Sequence, residues 1–407
     1  MCRRPWNLIR VMPAQGEMTV ETGHTGAATA DAVVVGAGAV GLAAAWSAAR
    51  RGLRVVVLEA SEPGAGATGV AAGMLAPVTE ADFGEREHVE LNLAGARAWP
   101  SFARELEAAS GAVIGYRATG TLTVAVDRDD AELLHRMHSL QRELGLDAEW
   151  LAGSACRRLE PGLAPRVAGG ILAPADHQVA PRALIAALAS AFTAAGGELR
   201  RGVRVLGLET GPEGVEAVLL EDGDRLPASA VVLAAGAESG RLDVPPAARV
   251  PVRPVKGQIV RLRARAGAPL PAARVIRTPA VYAVPRADGR LVVGATVEEQ
   301  GFDVSVTAGG VLELLRRGYE ALPGISELEL AEARAGLRPA APDNGPIVGE
   351  SAVGGLVWAT GHWRNGILLA PITGEAVAAL LAGDEPPPEF APFSPGRFAD
   401  HAAEVTH

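Results

Sequence analysis

The chain has 407 residues, of which 48% are hydrophobic and 21% charged, a composition typical of a globular protein long enough for two domains. Its formal net charge of −9 argues against a nucleic-acid-binding surface, and no uninterrupted apolar run is long enough to predict a membrane span. Cys2 and Cys156 are too few for a disulfide framework, which predicts a cytoplasmic protein. Residues 1–30 lack the apolar core of a secretory signal and are predicted to be a disordered extension.

Residues 33–59 predict a strand, a glycine-rich turn, a helix and a second strand, which together form a dinucleotide-binding unit. Gly36 permits the tight turn, Gly38 lets a pyrophosphate approach the backbone, and Gly41 lets the helix pack closely on the strand. The helix start presents free amides to the phosphates. Glu59 can accept hydrogen bonds from a ribose diol, which disfavours NADP. The motif does not separate FAD from NAD.

Further along the chain, hydrophobic periodicity predicts helices at residues 85–109, 129–144, 181–195, 307–322 and 366–381. Strands are predicted at residues 116–126, 203–208, 230–235, 281–285, 291–294 and 356–360. Segment 61–77 is rich in small residues, so its backbone is expected to lie close to a ligand. Gly236 directly follows a buried strand and marks a second such place. The eight histidines are scattered and no CxxC pair exists, so no metal site is predicted.

Elements of the nucleotide-binding type fall in three separate blocks, and strand-rich segments of different character lie between them. This order predicts two interleaved domains in an α/β fold that is α+β overall. The predicted blocks are residues 31–85, 170–240 and 335–385 for the nucleotide-binding domain, 86–169 and 241–334 for the substrate-binding domain, and 386–407 for a tail. The proline-rich part of the tail, at 386–396, is expected to pack loosely or not at all.

Six separated motifs match those of one family. They are GAGAVG at 36–41, AAGMLAP at 71–77, PVKGQ at 254–258, YAVPRADGRLVVGATVEEQGFD at 282–303, GLRPAAPDNGPIVG at 336–349 and GHWRNGILLAP at 361–371. The chain resembles the FAD-dependent D-amino-acid oxidase family, and within it the glycine oxidases of thiamine biosynthesis. The resemblance covers residues 31 to about 382 and implies a Rossmann-like FAD-binding domain interleaved with a strand-rich, mixed-sheet substrate domain.

The resemblance also implies which residues hold FAD. Val205 would lie against the adenine, and Thr68 is the main candidate for a pyrophosphate contact. Other residues near the cofactor would be Ala39, Val40, Ala60, Ala72, Gly73 and Met74. The segment that begins at Gly361 would contact the flavin through the backbone of His362, Trp363, Arg364, Asn365, Gly366, Ile367 and Leu368. Neither cysteine lies where some relatives attach flavin, so FAD is expected to be non-covalent.

A second set of residues is predicted to bind the substrate. Arg338 is the first candidate for the substrate carboxylate, because a planar guanidinium grips a carboxylate with two parallel hydrogen bonds. A brace for the loop before Pro339 is the alternative that the residues alone leave open. By the same resemblance, Tyr282 would make a second carboxylate contact and Val297 would line the pocket. Arg364 would orient the substrate or touch the flavin.

These features imply oxidation of glycine, or of a similar small primary or secondary amine, with hydride transfer from Cα to FAD and H2O2 formed from O2. In the family's pathway the imine supplies thiazole synthesis, which implies a functional link to a thiazole synthase, and the family suggests a homotetramer. One alternative is a D-amino-acid, D-proline or sarcosine dehydrogenase that uses a quinone-type acceptor. Another is a flavin-binding protein without turnover.

Overall fold

The computed structural model describes residues 30–399, and the predicted N-terminal extension lies outside this range except for Ala30. The strands of the described range are β1 (Ala32–Val35), β2 (Val55–Glu59), β3 (Met74–Leu75), β4 (Thr121–Ala125), β5 (Glu149–Ala152), β6 (Gly169–Ala173), β7 (His177–Gln178), β8 (Glu198–Arg201), β9 (Val205–Gly211), β10 (Gly214–Leu220), β11 (Arg225–Pro227), β12 (Val231–Leu233), β13 (Arg253–Arg263), β14 (Val275–Arg277), β15 (Tyr282–Pro285), β16 (Arg290–Gly294), β17 (Glu329–Ala340), β18 (Ile347–Glu350) and β19 (Leu356–Thr360). Its helices are α1 (Ala39–Arg50), α2 (Ala67–Val70), α3 (Arg86–Ser110), α4 (Arg128–Glu143), α5 (Gly153–Leu159), α6 (Pro181–Ala194), α7 (Ala308–Ala321) and α8 (Gly366–Ala382). None of these helices has the length and apolar character needed to cross a membrane.

A six-stranded sheet has the strand order β18-β19-β12-β1-β2-β8, and all neighbours run parallel except β18 and β19. One face packs against α1, α3, α6 and α8, and Val34, Val57 and Val232 point into that layer. Val33 and Val56 point to the other face, which the three-stranded sheet β11-β10-β9 covers. Because both faces are buried, the central strands are continuous valine-rich runs.

A mixed eight-stranded sheet has the order β17-β13-β16-β15-β14-β4-β6-β5, in which only β14 and β4 run parallel. Its two longest strands, β13 and β17, pair from Arg253 opposite Ala340 to Arg263 opposite Glu329. Helix α7 packs on this sheet through Leu314. The α/β fold with a parallel nucleotide-type sheet and a strand-rich mixed sheet confirms the predicted fold class.

The five predicted helices form α3, α4, α6, α7 and α8, with ends within one residue of the prediction. Strand β4 is shorter than the predicted strand at 116–126, because Gly120 adopts φ +75° and interrupts the extended backbone. Helix α3 lies in a segment predicted to belong to the substrate-binding domain. It nevertheless packs against α6 and α8, and Trp99 Nε1 donates to Leu368 O at 2.8 Å. The division of the chain into domains stays a prediction.

The expectation of a loosely packed tail at 386–396 is wrong. Phe390 and Phe393 are buried in the core beside the helical layer, and the Phe393 ring stands edge-on to the His88 ring at 5.0 Å. The prolines of this stretch fit a short 3-10 helix at Pro388–Phe393 instead of preventing order. Aromatic side chains bury large apolar areas, and this gain outweighs the irregular backbone.

Candidate active site

A cavity of about 680 Å3 lies where the two large sheets meet. The six-stranded sheet contributes residues at the carboxyl ends of β1, β2, β12 and β19, which is where open α/β sheets bind ligands. The eight-stranded sheet contributes residues of β13, β14, β15 and β17, and the first turn of α8 completes the wall. Parts of the chain that are distant in sequence therefore share one site.

The turn between β1 and α1 has room for backbone only. Gly36 has φ +104°, and a Cβ atom there would lie 2.6 Å from the carbonyl oxygen of Ala234. A Cβ atom on Gly41 would lie 2.0 Å from the Gly36 carbonyl oxygen, so no side chain fits between helix and turn. A Cβ atom on Gly38 would meet only Thr68 Oγ1, at 3.5 Å. Gly38 therefore leaves the start of α1 open to the cavity.

The start of α1 is suited to an anionic ligand. The helix has no acidic residue in its first turn and no side-chain cap, so its positive end is not neutralised within the helix. Thr68 Oγ1 accepts a hydrogen bond from Ala39 N at 3.2 Å. Nearby, Glu59 accepts hydrogen bonds from Ala37 N at 2.8 Å and Ser61 N at 2.9 Å, one on each carboxylate oxygen. Each oxygen keeps acceptor capacity for a ligand hydroxyl.

The first turn of α8 lies on the opposite wall. Asn365, Gly366 and Ile367 line the cavity, and the first intrahelical hydrogen bond runs from Leu369 N to Asn365 O at 2.8 Å. The amides of Gly366 and Ile367 precede that bond, so they have no acceptor within the helix. This helix end can therefore stabilise negative charge on a ligand.

Arg338 lies on β17 with its guanidinium in the cavity wall. It donates to two backbone carbonyl oxygens, those of Lys256 at 3.2 Å and Thr296 at 3.1 Å. Among the described residues, no carboxylate forms an ion pair with Arg338 within 4.0 Å. A Cβ atom on Gly257 would lie 2.5 Å from the guanidinium nitrogens, so this glycine gives them space. Burial lowers the pKa of Arg338, but an arginine stays cationic at neutral pH.

Tyr282 on β15 lines the same cavity as Arg338. Its ring covers Gly294, where a Cβ atom would lie 2.6 Å from ring carbons. Burial raises the pKa of Tyr282, so the phenol stays protonated and can donate a hydrogen bond. Across the ladder, Tyr282 is paired with Arg277 of β14. Val297 also lines the cavity and is largely exposed.

Glu80 lies between two arginines at this end of the cavity. Its carboxylate accepts hydrogen bonds from Arg277 Nη1 and, at 3.4 Å, from Arg364 Nη1. Burial opposes ionisation of Glu80, but the charges of Arg277 and Arg364 outweigh it, so its pKa lies below the ordinary value. The guanidinium carbons of Arg338 and Arg364 lie 5.8 Å and 5.5 Å, respectively, from the centroid of the Trp363 ring.

Residues 31–380 match the family of FAD dependent oxidoreductases. The chain belongs to this family. FAD is therefore its cofactor, and the cavity fits FAD, because it combines the glycine turn, the acid at the end of β2 and the amide-rich starts of α1 and α8.

Individual relatives are similar over most of their length. The glycine oxidase of Geobacillus kaustophilus is 36% identical over 366 residues, which are 89% of this chain and 96% of that protein. The crystal structure of glycine oxidase from Geobacillus kaustophilus has a TM-score of 0.83 at 35% identity, over 91% of this chain and 99% of that one. The bifunctional protein ThiO/ThiG of Synechocystis sp. is 35% identical over 374 residues, which are 91% of this chain but 54% of that protein. The crystal structure of iminodiacetate oxidase from Chelativorans sp. BNC1 has a TM-score of 0.81 at 30% identity, over 89% of this chain and 98% of that one.

Most of the residues predicted to bind FAD line the cavity between the two large sheets. They are Gly36, Gly38, Ala39, Val40, Glu59, Ala60, Thr68, Ala72, Gly73, Met74, Val205, Gly236, His362, Trp363, Arg364, Asn365, Gly366 and Ile367. Gly41, Gly361 and Leu368 do not line it. Gly41 lies at the contact between α1 and its turn, and the Leu368 carbonyl accepts from Trp99. The contact of each residue with FAD stays a prediction.

His362, in the segment between β19 and α8, is buried, and its Nε2 lies 3.1 Å from Thr373 Oγ1. Burial lowers the pKa of His362 to about 3, so the ring is neutral at pH 7. A neutral, hydrogen-bonded ring fits a positioning role better than that of a proton-accepting base. Among residues 30–399, no group of three or more His, Cys, Asp or Glu side chains could hold a metal ion.

Sequence reasoning missed Glu80 and Arg277. Glu80 lies three residues after Pro77, the last residue of the segment expected to lie near a ligand, and an acid so close to that segment was a usable signal. Arg277 had no such signal, because only the pairing of β14 with β15 brings it beside Tyr282.

Two side chains of β13 anchor the loop at residues 295–307 to the eight-stranded sheet. Lys256 Nζ lies 2.5 Å from an oxygen of Asp303, and Gln258 Nε2 donates to Glu298 at 2.7 Å. Lys256 is 1% exposed and is the only lysine of the sequence. Two valines of this loop line the cavity, so the anchored loop forms part of the wall.

Proposed function

We propose that this protein oxidises glycine, or a similarly small primary or secondary amine, at Cα. Glycine, O2 and water are converted to glyoxylate, ammonia and H2O2, with the imine as the first product. The glycine oxidase of Geobacillus kaustophilus, 36% identical over 96% of its length, supports this substrate class.

One observation carries the proposal. The partly buried guanidinium of Arg338 has no ion-pair partner among the described residues and lies in the cavity that carries the dinucleotide turn. A cation held this way is suited to a ligand carboxylate, which would satisfy its remaining donors. A protein that only stores flavin has no need for such a group.

In this proposal, the side chains bind and orient the substrate. Arg338 binds the carboxylate, and the protonated Tyr282 phenol donates a second hydrogen bond to it. Together they fix the position of Cα. When bound, FAD would accept the hydride from Cα, which carries both electrons of the oxidation. The amides of Gly366 and Ile367 favour negative charge at the opposite wall, because the positive end of α8 lies there.

The proposal extends to the cellular setting. A functional link to a thiazole synthase is supported by the bifunctional ThiO/ThiG protein, in which the matched part is 54% of the length and a further part is joined to it. We also propose a non-covalent FAD, a cytoplasmic location and a homotetramer. The last two rest on the cysteine content and on the family resemblance.

A second candidate is an oxidase for a larger secondary amine. It is favoured by the likeness to iminodiacetate oxidase, which has a TM-score of 0.81. A dehydrogenase that passes electrons to a quinone-type acceptor differs only in the acceptor.

The test is anaerobic bleaching of the visible flavin absorbance by glycine, sarcosine, D-alanine, D-proline or iminodiacetate in separate cuvettes. We expect bleaching by glycine, followed by rapid return of the colour and release of H2O2 when air is admitted. Bleaching only by a bulkier amine would mean that this amine, and not glycine, is the substrate. Slow recovery in air would favour the dehydrogenase, and no bleaching would contradict the proposal.

A further inference from the structure

The end of the cavity that holds Tyr282 also carries Arg277, Arg338, Arg364 and Glu80. Arg338 is the candidate for the substrate carboxylate, so two further guanidinium groups lie near it. Glycine has no second anionic group that could use them. If their charges were not compensated, these two guanidinium groups would favour a substrate with two negative charges.

Glu80 engages both of the remaining arginines at once. Its side chain is only 8% exposed, hydrogen-bonds to Arg277 Nη1 and lies 3.4 Å from Arg364 Nη1. It therefore neutralises part of their charge and takes up donor positions that a ligand would need. An ionised carboxylate at this place also repels an approaching anion.

The location of Arg277 makes this relevant to the substrate. Arg277 and Tyr282 are directly opposite each other on β14 and β15. The Cβ atoms of such a pair are about 5 Å apart. Arg364 and Arg338 both lie near the Trp363 ring. A second carboxylate on a substrate held by Arg338 and Tyr282 would therefore approach the arginines that Glu80 occupies.

We propose that Glu80 sets the charge preference of this site. By occupying Arg277 and Arg364, it keeps them from binding a second anionic group, and the site prefers amines with one carboxylate over amines with two. The amine substrate class rests on the proposed function, but the charge preference belongs to the cavity and can be measured without turnover.

The experiment compares two unreactive ligands that differ by one carboxylate. Methoxyacetate has the shape of sarcosine, and oxydiacetate has the shape of iminodiacetate, with oxygen in place of the amine nitrogen. Binding of each to the FAD-loaded protein is titrated through the change in flavin absorbance. Glu80→Gln keeps the shape of the side chain and removes its charge.

Glu160→Gln is the matched control. Glu160 is 2% exposed and accepts from Arg274 Nε at 2.7 Å, but it does not line the cavity. We expect the wild type and E160Q to bind methoxyacetate more tightly than oxydiacetate. In E80Q the ratio of the two dissociation constants should shift by about tenfold or more towards oxydiacetate, which corresponds to about 1.4 kcal/mol.

A ratio in E80Q within about twofold of the wild-type ratio, or an equal shift in E160Q, would overturn the proposal. If E80Q does not retain FAD, Arg364→Gln tests the same idea with the opposite sign. Arg364 is half-exposed, and its loss leaves Glu80 less neutralised, so the ratio should move away from oxydiacetate. An unchanged ratio would contradict the proposal. Anaerobic bleaching by glycine tests the proposed function separately, so either can fail alone.

Discussion

At the scale of single residues, the site depends on a partly buried cation, Arg338, that forms no ion pair with any described residue. Within residues 30–399, the Arg338 guanidinium donates only to the carbonyl oxygens of Lys256 and Thr296, which fix its orientation and leave its charge available. Glu80 could have neutralised it, but it is engaged by Arg277 and Arg364 instead. Glu80 therefore neutralises Arg277 and Arg364 in part, whereas Arg338 keeps its charge for a ligand.

Replacing Arg338 tests its role in carboxylate binding. We expect Arg338→Ala to lower kcat/KM for glycine by about 30-fold to 1,000-fold, since a buried charged contact is worth about 2–4 kcal/mol. FAD content should stay unchanged, and Arg338→Lys should recover only part of the loss, because a point charge cannot grip both oxygens. Arg253→Lys, which makes the same change at an exposed ion pair of β13, is the control for Arg338→Lys. A loss below about threefold in R338A would contradict the assignment.

His362 gives the fold a defined sensitivity to acid. Burial lowers its pKa to about 3 from an ordinary 6.5, so the folded ring stays neutral where the unfolded ring takes a proton. Its contribution to stability is therefore complete above pH 6.5 and is lost as the pH falls from 6.5 towards 3. The slope is at most about 1.4 kcal/mol per pH unit.

His362→Asn should remove that dependence. Between pH 7 and pH 5 we expect the free energy of unfolding of the wild type to fall by roughly 2 kcal/mol more than that of H362N, as measured by urea denaturation with excess FAD. Equal losses in both proteins would show that the folded ring is protonated in this range.

Individual side chains were predictable where the chain folds locally. The glycines of the β1–α1 turn and Glu59 were assigned from a motif whose geometry is fixed by near neighbours. Arg338 and Tyr282 needed the family resemblance, because periodicity places them on strands but not beside a cavity. Neither the local motif nor the family resemblance identified Arg277, because its position depends on a strand pairing that no local pattern specifies.

At the scale of elements, the contact between α1 and the turn before it leaves no room for a side chain. A Cβ atom on Gly41 would lie 2.0 Å from the Gly36 carbonyl oxygen, and neither backbone can move without displacing β1 or α1. This contact holds in place the start of α1, which lines the cavity.

Gly41→Ala should therefore weaken both folding and FAD binding. We expect a loss of about 2–3 kcal/mol in the free energy of unfolding, the range for an overfilled contact, together with lower FAD content. Gly309→Ala is the control, because its helical position in α7 has no atom within 4 Å of the added Cβ. That variant should keep its stability or gain up to about 1 kcal/mol. Similar stability of G41A and G309A would contradict the argument.

Helices were the most predictable elements, because their amphipathic or alanine-rich runs are long. The paired strands β13 and β17 were not among the predicted strands, although they form the longest ladder of the described residues. Their exposed and buried residues do not alternate cleanly, since part of one face borders the cavity and part is covered by the loop at 295–307. Local pattern reflects burial, and burial here is set by distant segments.

At the scale of the whole molecule, the last described residues complete the core. Phe393 is 3% exposed and packs against the His88 ring of α3 and over Gly345, where a Cβ atom would lie 2.8 Å from the phenylalanine ring. The segment that was expected to be loose therefore joins two distant parts of the chain.

Phe393→Ala should destabilise the protein by about 3–5 kcal/mol, the range for deleting a buried aromatic side chain. The matched control is Phe83→Ala, since Phe83 is 57% exposed, and its change should stay within about 0.5 kcal/mol. Urea unfolding of the FAD-loaded protein measures both. A loss below about 1 kcal/mol in F393A would mean that the tail is not part of the cooperative core.

The burial of Lys256 gives the protein an unusual chemical surface. Because the sequence has no other lysine, the positive side chains on its outside are guanidinium groups and no exposed primary amine comes from a lysine. Reagents that acylate amines, and crosslinkers that join them, therefore have only the chain's own α-amino group to attack while the loop over Lys256 is closed. Opening of that loop would expose a single new nucleophile on β13, so acylation of Lys256 would report the motion of the loop with no signal from any other lysine.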